Sequence, residues 1–296
     1  MIKRSLFFAN PYHLSVSNMQ LVVRGKGENE MSTTIPIEDV GFMILENPQI
    51  TFTQAVIEEM AANNVAMVFC SKNYMPVSML FHLDTHTTQT ERFRAQVNAS
   101  EPLKKGLWKQ TVKQKIRNQA ALLKWTGVDS EALSYLAKKV KSGDPENIEG
   151  RAAKRYWNLL FGNDFGRERF GNAPNPALNY GYIVLRAAVA RALAGSGLLS
   201  SLGIHHRNRY NSFCLADDIM EPYRPYVDII VKEMYDNGMN TENLGKNEKA
   251  ALLEVLTCDV VINRKKRPLM IALAETTSSL AKCFEGDQKH ITYPEF

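Results

Sequence analysis

Cysteine is scarce and scattered. The four residues, Cys70, Cys214, Cys258 and Cys283, lie far apart and form no C-x-x-C pair, which argues against a zinc site and a disulfide framework and leaves free thiols in a reducing compartment. An uninterrupted apolar run long enough to cross a bilayer is also missing, because the best stretch, 183–199, carries Arg186 and Arg191. Near the start, Lys3 and Arg4 precede an apolar run that Asn10, Pro11 and His13 soon break, so no signal peptide is expected. Neither a P-loop nor a G-x-G-x-x-G fingerprint occurs. These absences predict a soluble, cytoplasmic protein.

The 296 residues exceed what one compact core usually organises, so two domains are expected. With 45% hydrophobic and 23% charged residues, the chain can build a sizeable core. Lys and Arg number 36 against 31 Asp and Glu, a formal charge of +5. That permits a polyanionic partner without requiring one.

Two compositional regimes divide the chain. Residues 1–84 read as a β-rich domain: short apolar runs at 5–8, 12–16, 21–24, 34–37 and 40–45 alternate with turn signals at Asn18, Gly25, Gly27 and Asn29. Thr53 is positioned to cap a helix over 54–62, and 65–70 reads as a buried strand. Asp84 to Glu91 contains no apolar residue, and 85–91 reads as a linker. Residues 92–296 are then mainly helical. The fold class is therefore α+β, a β-rich N-terminal domain followed by a larger helical one.

The stretch 102–125 has the clearest helical period, with Trp108, Val112, Ile116 and Leu123 on one face. Lys105, Lys109, Lys113 and Arg117 repeat every four residues beside it, with Lys104, Lys115 and Lys124 close by. A solvated helix face would look the same. Acidic residues are scarce at i±4, with Glu101 before Lys105 the one case, which favours a phosphate-binding stripe. Asp144-Pro145-Glu146 opens another predicted helix, running to Phe161 and ending at Gly162. Two more are predicted over 176–194 and 215–235.

Three short regions could carry chemistry. Glu149 shares a helix face with Ala153, Tyr156 and Leu160, and a carboxylate on an apolar side needs a partner or a metal; a first-turn Glu serving the helix dipole is the simpler alternative. His205 and His206 are adjacent, so at most one of them can ligate a given metal; two polar loop residues are the alternative. Asp217, Asp218 and Glu221 lie at helical spacings, and such a carboxylate cluster favours Mg²⁺ or Mn²⁺ over zinc, although helix capping would explain it as well.

In order, Glu149-Gly150, Asn175-Pro176-Ala177-Leu178-Asn179-Tyr180-Gly181-Tyr182, Gly203-Ile204-His205-His206 and Asp218-Ile219-Met220-Glu221-Pro222-Tyr223-Arg224-Pro225 resemble the CRISPR-associated integrase family, the catalytic protein of spacer acquisition. The His-rich turn followed by Asn208-Arg209-Tyr210-Asn211 looks most like the type II branch. The resemblance covers essentially the whole chain. It implies a Mg²⁺ or Mn²⁺ site formed by Glu149, His206 and Glu221, with Asp218 the second acidic candidate. It implies that captured DNA is inserted at CRISPR repeat ends by 3′-hydroxyl transesterification. The basic stripe, with Arg207 and Arg224, is expected to contact DNA. The implied partners are a second copy of the chain joined through the β-rich domain, a small ferredoxin-like adaptation protein, and the effector nuclease and accessory DNA-binding protein of a type II system. A stand-alone metal-dependent nuclease and a non-catalytic DNA-binding scaffold are the rival readings.

Overall fold

The structure, a computed structural model, describes residues 4–26, 31–72, 75–80 and 86–296. The expected turn residues Gly27 and Asn29, and Asp84 and Thr85 of the expected linker region, lie outside them. The chain divides into two compact units, Met1–Thr85 and His86–Phe296.

In the first unit the apolar runs become strands. β1 (Arg4–Phe8), β5 (Val40–Leu45), β7 (Ala66–Cys70) and β8 (Pro76–Leu80) form one sheet in that order, parallel except for the last pair. β4 (Ser32–Pro36), β3 (Gln20–Gly25), β2 (Tyr12–Ser17) and β6 (Thr51–Phe52) form the other. Asn18 and Met19 both take positive φ, 49° and 57°, as a two-residue hairpin turn between β2 and β3 demands. All six residues of β5 are buried, and α1 (Gln54–Ala62) adds Val56 and Met60 to the shared core of Leu14, Leu21, Ile37, Met43 and Met67. Thr53 stands at the start of α1, but its side chain makes no cap hydrogen bond.

The second unit is helical: α2 (Gln89–Val97), α3 (Glu101–Trp125), α4 (Glu131–Lys139), α5 (Ile148–Phe161), α6 (Asn175–Gly195), α7 (Cys214–Met220), α8 (Arg224–Asp236), α9 (Lys246–Leu253) and α10 (Leu269–Glu285). α3 packs against α4, α5 and α8, and α6 against α7, α8, α9 and α10. Trp108, Val112, Ile116 and Leu123 are all buried, as their spacing predicts.

Four details depart from the sequence reading. The expected linker 85–91 already contains the first turn of α2, whose Arg92 reaches Glu285 and the Ser196 carbonyl. The helix expected from Asp144 begins instead at Ile148. Asp144 caps it from a distance, accepting the Ile148 and Glu149 amides at 3.0 and 2.9 Å. The helix expected over 215–235 breaks into α7, a 3₁₀ turn Glu221–Tyr223, and α8, because Pro222 lacks the amide that a continuous helix needs. A hairpin, β9 (Asp259–Ile262) with β10 (Lys265–Pro268), interrupts the helical unit. Beyond it the polar end 286–296 is packed. Asn118 donates to the Pro222 and Pro294 carbonyls, Tyr226 to that of Glu295, and the Phe296 ring lies 5.0 Å from Tyr226.

Where α5, α6 and α8 meet, the buried Asp228 accepts from Tyr156 at 2.7 Å and from Tyr182. Burial pushes its carboxyl up to about 6, against the opposing pull of the two tyrosines, Arg224 and Arg167. Its ordinary value is 3.8. The folded state therefore holds this proton more tightly than the unfolded chain. The resulting stabilisation is complete below pH about 4 and is lost as pH rises through about 6, a change on the order of 3 kcal/mol. Denaturant melts of wild type and Asp228→Asn at several pH values check this. Wild type is expected to lose stability relative to the variant between pH 4 and 7, and a pH-independent difference would contradict it.

Candidate active site

The site is assembled where α3, the start of α5, the 203–206 turn and the Pro222 break come together. Asp144, at the mouth of α5, fixes the Glu149 backbone, while Asn147, itself at φ 48°, caps Gly150. Glu149 thereby leaves the first turn with its carboxylate turned to α3. From the opposite side, the 3₁₀ turn delivers Glu221, whose side chain is only 4% exposed.

Between them stands Lys115. Its Nζ lies 2.6 Å from Glu149 Oε1 and 2.6 Å from Glu221 Oε2. The other Glu221 oxygen takes Arg224 Nη2 at 2.8 Å. Burial alone would raise the Glu221 carboxyl, but Arg224 and Lys115 outweigh it and hold it below the ordinary range. Conversely, burial would lower the Lys115 ammonium, and Glu221 and Glu149 together hold it above its usual value.

His206 is placed by Asp218. The Asp218 carboxylate, wholly buried, accepts the Ile204, His205 and His206 amides and sits 2.6 Å from His206 Nδ1. A carboxylate only accepts, so Nδ1 is the donor, and in the neutral ring Nε2 keeps the lone pair. The same hydrogen bond is the main reason the imidazole titrates above its ordinary value, with Glu221 and Glu149 adding to it and burial opposing it. Gly203 is required here: a Cβ would lie 2.4 Å from the His206 carbonyl and 2.7 Å from Asp218 Oδ2. His205 is drawn away, stacked flat on Trp108 of α3 with ring centroids 4.2 Å apart.

The Asn175–Tyr182 segment supports this from behind. Asn175 and Asn179 both accept from Arg167. Gly181 lets α6 approach α8, since a Cβ there would meet Val227 at 2.4 Å. The Arg224 and Arg167 guanidiniums stand 4.6 and 5.3 Å from the Tyr182 ring centre.

The sequence-predicted residues thus separate by role. Glu149 and Glu221 both act electrostatically on His206. Asp218 has both oxygens engaged in holding the turn. Arg224 is bound to Glu221 and stacked on Tyr182, and Arg207 pairs with Glu101 at the surface. Lys105 and Arg117 are exposed, and Lys109 and Lys113 half-buried. Among the described residues none of these four meets a carboxylate within 4.0 Å. Burial, and repulsion from Lys109 and Arg117, lower the Lys113 ammonium.

Lys115 is the residue that sequence reasoning placed among the surface lysines. Its spacing carried the signal: it lies three after Val112 and seven after Trp108, on the apolar face. A lysine there must meet carboxylates.

Among the described residues no three His, Cys, Asp or Glu side chains are gathered as a finished metal cage. The donor set nevertheless fits a hard divalent cation. Two carboxylates already converge on one positive charge, and the buried Glu221 Oε2 has only the ion pair, without a well-angled hydrogen bond. The imidazole beside them is oriented by a carboxylate, as metal-ligating histidines usually are.

Residues 6–264 match the family described as CRISPR associated protein Cas1. The chain is 38% identical over 295 residues to the CRISPR-associated endonuclease Cas1 of Neisseria meningitidis serogroup C (strain 8013), covering 99% of this chain and 96% of that one. It superposes on a casposase bound to integration product with a TM-score of 0.83 at 19% identity, covering 100% of this chain and 94% of that one. A Cas6-RT-Cas1–Cas2 complex contains a chain that matches with a TM-score of 0.74 at 18% identity, covering 97% of this chain and 35% of that longer one.

Proposed function

The chain belongs to the Cas1 family of CRISPR-associated proteins, and from that premise we propose that it is a Mg²⁺- or Mn²⁺-dependent DNA integrase of spacer acquisition. In this reading the 3′-hydroxyl of a captured DNA fragment attacks a phosphodiester at a CRISPR repeat end. A new P–O bond forms, the repeat strand's own P–O bond breaks, and the proton lost by the attacking hydroxyl is balanced by one gained on the departing 3′-oxygen. One phosphodiester replaces another, so no ATP is consumed.

The observation that supports this reading best is the convergence of Glu149 and Glu221 on one cationic centre beside an imidazole of fixed tautomer. Glu149, Glu221 and His206 Nε2 would hold the ion. When bound, it would stabilise charge on the phosphate oxygens and favour the hydroxyl's ionisation. Asp218 would keep the imidazole aimed, and Arg224 would keep Glu221 ionised. A backbone-binding stripe of Lys105, Lys109, Lys113 and Arg117 suits DNA of arbitrary sequence, because phosphate contacts give affinity without reading bases.

The family and the solved relatives, one with an integration product and one with Cas2, support DNA and a Cas partner. The proposed partners are DNA as captured fragment and as repeat, a second copy of this chain, and a small ferredoxin-like adaptation protein. The His-rich turn favours a type II system, whose effector nuclease and accessory DNA-binding protein would join them in the cytoplasm. Among the described residues no helix is long and apolar enough to cross a membrane.

A strand-transfer assay tests the reading. It combines the protein, its small partner, short duplexes with free 3′-hydroxyls and a supercoiled plasmid carrying the repeat. Fragment joined to plasmid only with Mg²⁺ or Mn²⁺, and lost by at least a hundredfold in Glu221→Ala and His206→Ala, is expected. Shortened DNA with the same dependence would indicate a nuclease. Binding without any product would indicate a scaffold. Independently, replacing Lys105, Lys109 and Lys113 by Gln should weaken DNA binding and reduce the salt slope by about 2–3; an unchanged salt titration would refute the stripe.

A further inference from the structure

A lysine stands where the proposed ion would go. Lys115 sits in the middle of α3, only 8% exposed, with its ammonium 2.6 Å from a carboxylate oxygen of each of the two acidic ligand candidates. Two negative groups, Glu149 and Glu221, thereby face two positive ones, Lys115 and Arg224. A divalent cation added to this balanced set would bring four positive charges against two negative ones in a place shielded from water, where like charges repel strongly.

One of the resident cations must therefore yield. Arg224 is fixed by its bond to Glu221 and its stack on Tyr182. Lys115 carries its ammonium on a flexible four-carbon stem, and both of its ion-pair contacts are to the groups an ion would claim. We infer that Lys115 is a positioning residue, a resident counter-cation that holds Glu149 and Glu221 together across the site until a divalent ion displaces it.

The inference rests on the metal reading given above for the ion-exchange step, but not for the holding step. Without Lys115, Glu221 and Glu149 would face each other with their charges only partly compensated, and the metal-free site would be strained by their repulsion. The same loss removes a competitor, so the ion should bind more tightly. A lysine that served packing alone would not produce tighter ion binding when removed.

The experiment compares full-length wild type, Lys115→Met and the double variant Lys115→Met/Glu149→Gln. In chelator, Lys115→Met should melt roughly 5 °C or more below wild type, and adding Glu149→Gln, which removes one of the opposed charges, should recover most of that loss. Calorimetric titration with MnCl₂ should show Lys115→Met binding at least tenfold more tightly than wild type. Equal or weaker Mn²⁺ binding by a folded Lys115→Met overturns the exchange step. A melting loss that Glu149→Gln fails to relieve, or no melting loss in chelator, overturns the holding step. If Lys115→Met does not fold, Lys115→Gln gives the same comparison. Absence of Mn²⁺ binding in every folded variant overturns the metal reading and the exchange step together, while the chelator melts decide the holding step by themselves.

Discussion

Lys115 reaches from the middle of α3 to two carboxylates at 2.6 Å each, and the geometry of the helical unit around the site depends on that charge balance. Glu149 arrives on α5 and Glu221 on the turn before α8. The ammonium between them meets a carboxylate oxygen of each. Removing one member of such a buried set leaves an uncompensated charge, at a cost of about 3–5 kcal/mol. The remaining devices serve the same point. Asp144 sets the phase of α5, Pro222 interrupts the chain where Glu221 must turn inward, and Arg224 takes the Glu221 oxygen that Lys115 does not.

His206 is governed by a second, separate constraint. One buried aspartate gathers three consecutive amides and the imidazole itself, so that the turn 203–206 has a single arrangement. Gly203 is part of that constraint, because no side chain fits between Asp218 and the His206 carbonyl. Trp108 completes it by stacking on His205, which separates the two neighbouring histidines into one that packs and one that faces the site. The acidic residue nearest His206 is therefore the one that aims it.

Much of this was legible in the sequence, for reasons that can be named. Alternating apolar runs located β1 to β5 and the buried β7, because a strand buried on one or both faces declares itself by period or by continuity. The α+β division followed from the change of regime after the polar stretch near residue 85. The family resemblance selected His206 over His205 and Glu221 with Asp218 second; the acidic spacing by itself left Asp217, Asp218 and Glu221 open and could not say which was enclosed by backbone amides. The breaks were harder to see. Asp144 caps α5 from four residues before its first helical residue, so the cap was visible but not where the helix begins. The 3₁₀ turn at Glu221 was signalled by Pro222 but not its shape. Lys115 was hidden by its neighbours: seven basic residues between 104 and 124 read as one surface, whereas the helical period assigns this one to the face of Trp108 and Val112. The segment after Gly286 has too few apolar residues to announce its packing, which rests on main-chain carbonyls that accept from Asn118, Gln114 and Tyr226.

The central claim is that Glu149, His206 and Glu221 form one ion site. Anomalous diffraction from crystals grown with MnCl₂ tests it most directly. The account predicts a single strong peak within coordinating distance of both carboxylates and of His206 Nε2, and its loss in a Glu149→Gln/Glu221→Gln variant. A peak at other residues, or one that persists in that variant, would contradict it.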